Sequence, residues 1–331
     1  FNPNVRAQYK PSGYKNRAVT DLVEPGSTIK PFVVAAALAS GKFNNESIID
    51  TSPGMVKVGI KVIEDKNNLG AIDLATALAR SSNVAMTRIA LTLGPETLHG
   101  TLSKLGFGRV TTSGYPGESA GLLTQYNHWR PITTATVSYG YGLSATPLQI
   151  AQAYATLGGE GMRRPISFLK VEQPVSGERV LPSQVSRDVV DMLRAVVSAD
   201  IGTGKRAAIP GYTVAGKTGT AWKASAGGYS TNRYLSVFAG LAPASNPRLA
   251  TVVVIDEPGA GLYYGGDVAA PVFSKVVGGA LRLLAVAPDA PVDGLTDQLP
   301  EILPESLEAP GNSLITNIAQ RGSTANGEVR R

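Results

Sequence analysis

The chain has 331 residues, 43% of them hydrophobic and 17% charged, the balance of a globular protein with a substantial core and not of a disordered one. Its formal net charge of +6 comes from Lys and Arg scattered among acids, which reads as a solvated surface and leaves no basic run to bind nucleic acid. With no Cys and only two His, His99 and His128, thiol catalysis, disulfides and Cys-based zinc sites are excluded, and no metal or other cofactor is expected.

In chain order, residues 1–20 are polar and read as an extended lead-in. Pro25-Gly26 opens a helix from Ser27 to about Ser40, with Pro31 in its first turn, where a missing N–H does little harm. A second helix covers Asp73 to Arg80 and resumes after Ser81-Ser82-Asn83 as Val84 to Leu93. Residues 94–145 alternate short helical pieces with Gly-rich turns, and Pro147 to Leu157 is helical again. Residues 186–198 form an amphipathic helix, with Val189, Val190, Met192, Leu193, Val196 and Val197 on its apolar face. Then the pattern changes: Tyr212–Ala221, Tyr234–Ala239 and Leu249–Ile255 are β-rich runs of an antiparallel sheet. A long apolar helix, Val268–Leu284, is placed to cover it. The fold class is α+β (mixed α/β), with one domain over 1–287 and a polar tail over 288–331, disordered in its last stretch. No run approaches the roughly 18 apolar residues of a membrane span.

Four short patterns are candidates for chemistry. Gly117-Glu118-Ser119-Ala120-Gly121 matches the G-x-S-x-G nucleophile elbow, but no strand precedes Ser119 and the only histidine after it is His128, too close to sit on a separate loop. Gly202-Thr203-Gly204-Lys205 lacks the Gly and the Ser/Thr that complete a phosphate-binding loop. S-x-x-K recurs along the chain, and of the two near its start, Ser12–Lys15 and Ser27–Lys30, only the second starts a helix. There, Ser27 and Lys30 share one face at i, i+3, the helix N-terminus favours developing negative charge, and apolar neighbours desolvate Lys30 toward the neutral amine of a base. Ser81-Ser82-Asn83 is an S-x-N (a second stands at Ser230–Asn232), and Lys217-Thr218-Gly219-Thr220 closes a β run where a peptide could add as a strand. In this order, S-x-x-K, S-x-N and K-T-G supply an amine base, a proton relay and a hydroxyl-lined substrate site, the set shared by penicillin-binding proteins and serine β-lactamases.

Several longer segments extend the likeness: Glu24–Pro31, Arg80–Val84, Gly216–Ala221, Phe1–Asn4, Tyr139–Leu143, Thr146–Gln149, Tyr264–Gly266 and Ala270–Phe273. Through them the chain resembles the transpeptidase domain of class B penicillin-binding proteins, most closely the septal, cell-division type, over about residues 1–285, with residues 53–61 matching poorly. The resemblance implies the penicillin-binding/serine β-lactamase-like fold, with a sheet of about five strands flanked by helices and an all-helical subdomain. It implies Ser27 as nucleophile on a D-Ala-D-Ala stem peptide, Lys30 as base, Ser81 as relay helped by Lys217, and Asn83 holding the peptide amide. Backbone N–H groups of Ser27 and Thr220 would form the oxyanion hole. Thr218, Gly219 and Thr220 would bind substrate, with Tyr141, Tyr263 and Tyr264 as an aromatic wall. It further implies β-lactams as covalent inhibitors, a membrane glycan polymerase and other division proteins as partners, and a place at the periplasmic face of the bacterial inner membrane through an anchor outside this chain. A β-lactamase, a D,D-carboxypeptidase and a β-lactam sensor share the same motifs and differ in the fate of the acyl-enzyme.

Overall fold

The computed structural model describes residues 15–291, except 174, 226, 227 and 260. The first S-x-x-K and the 292–331 part of the tail therefore fall outside the described residues. The expected lead-in is helical at its end: the Asn16 side chain accepts from Ala18 N at 3.2 Å and caps the single turn α1 (Arg17–Thr20). A 3-10 turn, Gly26–Ile29, runs straight into α2 (Lys30–Ala39). Phe32, Val33, Val34, Ala35 and Ala37 are completely buried. A helix apolar all round belongs inside a core, and the turn that leads into it is held rigidly.

Four short strands follow, β1 (Ile48–Asp50), β2 (Met55–Val58), β3 (Lys61–Glu64) and β4 (Ala71–Asp73), pairing antiparallel as β1–β4 and β2–β3. The helices α3 (Leu74–Ala79), α4 (Asn83–Leu93), α5 (Pro95–Lys104), α6 (Pro131–Ser138) and α7 (Pro147–Gly158) build the helical part. A capping box at Thr146 and Gln149 starts α7, which satisfies two of its orphan amides reciprocally. The minor pair β5 (Met162–Arg163) and β6 (Glu178–Arg179) precedes α8 (Ser183–Ser198). The last third holds β7 (Ala215–Ser225), β8 (Gly228–Ala242), β9 (Leu249–Asp256) and α9 (Gly265–Leu283).

The main sheet has the antiparallel order β7-β8-β9. It therefore holds three strands among the described residues where about five were expected, and residues 1–14 lie outside that count. Period-2 alternation sets the layers. Leu235, Ala239 and Leu241 of β8 join the large core around α2, α7 and α8, while Phe238 and Ala242 join a second cluster with Phe273, Val277 and Leu281 of α9. The sheet is thus sandwiched between helices. β7 starts three residues later than its β-rich run suggests because its leading residues turn a corner: Tyr212 Oη donates to Val286 O at 2.7 Å, and Thr213 N donates to Asp289 at 2.7 Å. Asp289 also accepts from Ser245 Oγ at 2.5 Å, so ordered contacts continue past residue 287.

Candidate active site

Three elements meet at one cavity of about 630 Å³, lined by Ser27, Ser81, Asn83, Thr218, Thr220 and Tyr264 among others. The first is the Gly26–Ile29 turn. Gly26 N donates to Gly140 O at 3.1 Å, and a Cβ on Gly140 would lie 2.0 Å from Gly26 O, so the backbone before Ser27 rests directly on a glycine. On the other side the turn packs against β7, where a Cβ on Gly219 would come 3.1 Å from Pro25 O. Ser27 is half-buried in the cavity wall, one helical turn from Lys30.

The second element is the α3–α4 junction. Ser81 takes a left-handed backbone at φ 59, a costly conformation for a residue with a Cβ. It is held there by Ser81 N donating to Leu78 O at 3.1 Å and Ser82 N to Ala77 O at 2.9 Å. Ser82 caps α4 by accepting from Ala85 N at 2.9 Å. Lys30, completely buried, points its amine into this junction. Its Nζ donates to Ser81 O at 2.5 Å and Asn83 Oδ1 at 2.7 Å, and lies 3.2 Å from Ser81 Oγ. A neutral amine meets the two carbonyl oxygens with its two N–H bonds and keeps a lone pair for a hydroxyl proton. The electrostatics favour that form. Burial pushes the Lys30 amine well below its ordinary range, the charge of Lys217 pushes it further, and Asp65 opposes both.

Asp65, at the end of β3, is a residue the motifs do not reveal. Its carboxylate accepts from Ser82 Oγ at 2.5 Å, Asn83 N at 2.5 Å and Val84 N at 3.2 Å. It thereby occupies the positive N-terminus of α4 and fixes the S-x-N segment from outside. The neighbouring Glu64 O accepts from Asn83 Nδ2 at 3.5 Å. Only the turn-forming run Asp65-Lys66-Asn67-Asn68 marked this segment in the sequence.

The third element is β7, whose edge away from β8 has no strand partner among the described residues. Lys217 is completely buried behind this strand, its Nζ donating to Thr218 O at 3.3 Å and Thr218 Oγ1 at 3.4 Å. Burial holds its amine down at about 7. Thr218 and Thr203 hydroxyls share a hydrogen bond of 2.8 Å, and Thr220 Oγ1 accepts from Gly265 N at 3.1 Å. Of the three tyrosines expected as a wall, Tyr264 lines the cavity. Tyr263 instead stacks on Tyr234 with ring centres 4.3 Å apart, and Tyr141 packs beside Tyr139 at 5.9 Å and Trp222 at 6.4 Å. The Tyr263 and Tyr264 hydroxyls lie 3.3 Å apart.

Known proteins resemble this chain in sequence and fold. The family described as penicillin binding protein transpeptidase domain matches residues 1–278. The chain is 44% identical over 294 residues to peptidoglycan D,D-transpeptidase FtsI of Escherichia coli strain K12, covering 89% of this chain and 50% of that protein. It is 39% identical over 289 residues to the protein of the same name from Buchnera aphidicola subsp. Schizaphis graminum, covering 87% and 50%. The chain spans about half the length of these curated relatives. Among solved structures, the apo transpeptidase (TP) domain of Burkholderia pseudomallei penicillin-binding protein 3 superposes with a TM-score of 0.80 at 40% identity, covering 84% of each chain. A Burkholderia ambifaria structure titled a peptidoglycan glycosyltransferase gives 0.78 at 37%, covering 84% of this chain and 85% of that one. Sequence motifs, fold and comparisons converge: the chain belongs to the penicillin-binding protein transpeptidase domain family.

Proposed function

We propose that this chain is a serine D,D-transpeptidase that cross-links peptidoglycan stem peptides and is trapped by β-lactams. The observation that carries the reading is the buried Lys30 amine, bonded to Ser81 and Asn83 one helical turn from Ser27 in the cavity wall. Ser27 Oγ attacks the carbonyl of the penultimate D-Ala, and Lys30 takes its proton. The N–H groups of Ser27 and Thr220 stabilise the oxyanion. Ser81, with Lys217 behind it, passes a proton to the departing D-Ala nitrogen while Asn83 holds the peptide amide. Thr218 and Thr220 hydroxyls bind the terminal carboxylate, and the donor backbone lies along the free edge of β7 beside Gly219. An amine of a second stem peptide then displaces Ser27. By resemblance, this chemistry serves the division septum at the periplasmic face of the inner membrane, beside a membrane glycan polymerase and other division proteins. Among the described residues no helix is long and apolar enough to cross a membrane, so an anchor would come from outside them.

Offering the protein a D-Ala-D-Ala stem peptide together with a second peptide bearing a free side-chain amine tests this by mass spectrometry. The expected products are the cross-linked dimer and one D-Ala per link, both lost in Ser27→Ala. Release of D-Ala with only hydrolysed donor would make the protein a carboxypeptidase, and rapid turnover of penicillin would make it a β-lactamase.

A further inference from the structure

The cavity extends beyond the catalytic groups on the Thr218 side, to Gly202, Thr203, Lys205, Arg206 and Asp267. Four cations line it: Lys66, Arg80, Lys205 and Arg206. Two of them are already paired, Lys205 with Asp200 at 3.1 Å and Arg206 with Asp267 at 3.5 Å. Lys66 and Arg80 are exposed and make no ion pair with any described residue. Asp65, next to Lys66 in the chain and also lining the cavity, already accepts three hydrogen bonds from the α4 terminus. The Tyr263 phenol is raised by its bond to Tyr264, and the Lys66 charge acts on it in the opposite sense.

Lys66 and Arg80 are therefore a pair of unneutralised positive charges at a site whose proposed terminal-carboxylate binders, Thr218 and Thr220, lie on β7. Amide cleavage and amide formation pass through the same tetrahedral geometry. The attacking nitrogen must occupy the place the D-Ala nitrogen leaves, on the Ser81 and Thr218 side of Ser27.

We propose that Lys66 and Arg80 form an acceptor subsite, holding a carboxylate of the incoming amine that is additional to the one taken by Thr218 and Thr220. This rests on the transpeptidase reading above. In the step it serves, the acceptor nitrogen bonds to the acyl carbon and the ester bond to Ser27 Oγ breaks. One amine proton returns to Ser27 through the Lys30 and Ser81 groups, giving the amide and the free hydroxyl. Charge-assisted contacts of an exposed Arg and Lys to a carboxylate fit an acceptor preference of about tenfold.

The test uses the full chain acylated by a D-alanyl thioester donor, with D-alanine (one carboxylate) and D-glutamate (two) competing as acceptors at low salt. The native protein is expected to favour D-glutamate about tenfold, and the double variant Lys66→Gln/Arg80→Gln to bring the ratio within about twofold. Acylation by a reporter penicillin, which needs no acceptor, is expected to stay unchanged in that variant and serves as its control for folding. Lys66→Glu alone, on an exposed loop, is expected to invert the preference. Equal use of both acceptors by the native chain, or a preference that survives in both variants, overturns the subsite, whereas no transfer to either acceptor overturns the transpeptidase reading. Absence of any penicillin adduct on the native chain overturns that reading as well.

Discussion

Lys30→Met is expected to lower the rate of Ser27 acylation by a reporter penicillin about 10³-fold, the contribution of a positioned general base. Met matches Lys closely in length and is at home in a site with no solvent exposure, so the loss falls on chemistry while the fold is kept. The pH dependence carries a sign that checks the assignment. The base works as a neutral amine, so the rate is present above the Lys30 pKa and is lost as pH falls through it. That acid limb lies well below the ordinary lysine range because burial, then Lys217, depresses the amine. Lys217→Gln removes the repelling charge, so the limb moves to higher pH. Asp65→Asn removes the attracting charge, so it moves to lower pH. Stopped-flow acylation across pH reads all three. A Lys30→Met rate within threefold of native, or limb shifts in the opposite directions, contradicts the role of Lys30.

Gly140→Ala is expected to be the most damaging small change outside the catalytic side chains. Gly140 sits at φ +94, and its added Cβ would fall 2.0 Å from Gly26 O. Neither atom has freedom to move, since Gly26 N is bonded to Gly140 O. Left-handed strain and a backbone clash together cost about 3–5 kcal/mol, a fall of roughly 10 °C in the thermal midpoint for a unit of this size. Acylation should fall with it, because the displaced turn carries Ser27. Gly142→Ala, two residues on, is the internal control. It has φ +79 but its nearest heavy atom is Thr136 Oγ1 at 3.7 Å, so it meets only the conformational cost, about 1 kcal/mol. Equal midpoints for the two variants would show that the Gly26–Gly140 contact does not hold the nucleophile turn.

Much of this site was legible because its chemistry is local in sequence. S-x-x-K places a hydroxyl and an amine on one helical turn, and the apolar run after Lys30 announces the burial that depresses it. The Ser82 cap and the strand ending in Lys217-Thr218-Gly219-Thr220 are equally local. What escaped depends on contacts between distant segments or on backbone geometry. Asp65 reaches the α4 terminus across 17 residues of chain, and no spacing rule pairs a loop aspartate with a helix 18 residues on. Ser81 adopts its left-handed conformation at the end of α3, held by backbone bonds to Leu78 and Ala77, not by residue preference. The strands β1 to β4 are three or four residues long and mostly exposed, too short for a period to stand out in the sequence. The Tyr141 ring packs beside Tyr139 and Trp222, contacts that no local spacing announces. Cavity residues such as Thr203 and Arg206 had only a failed phosphate-loop pattern to mark them. They reach the site because Thr203 bonds Thr218.

The most direct measurement is intact mass followed by peptide mapping after incubation with a reporter penicillin, for the native chain and for Ser27→Ala. The account predicts one long-lived adduct per native chain, on the peptide containing Ser27, and none on the variant. An adduct on Ser81 or any other residue, or no adduct on the native chain, would contradict it.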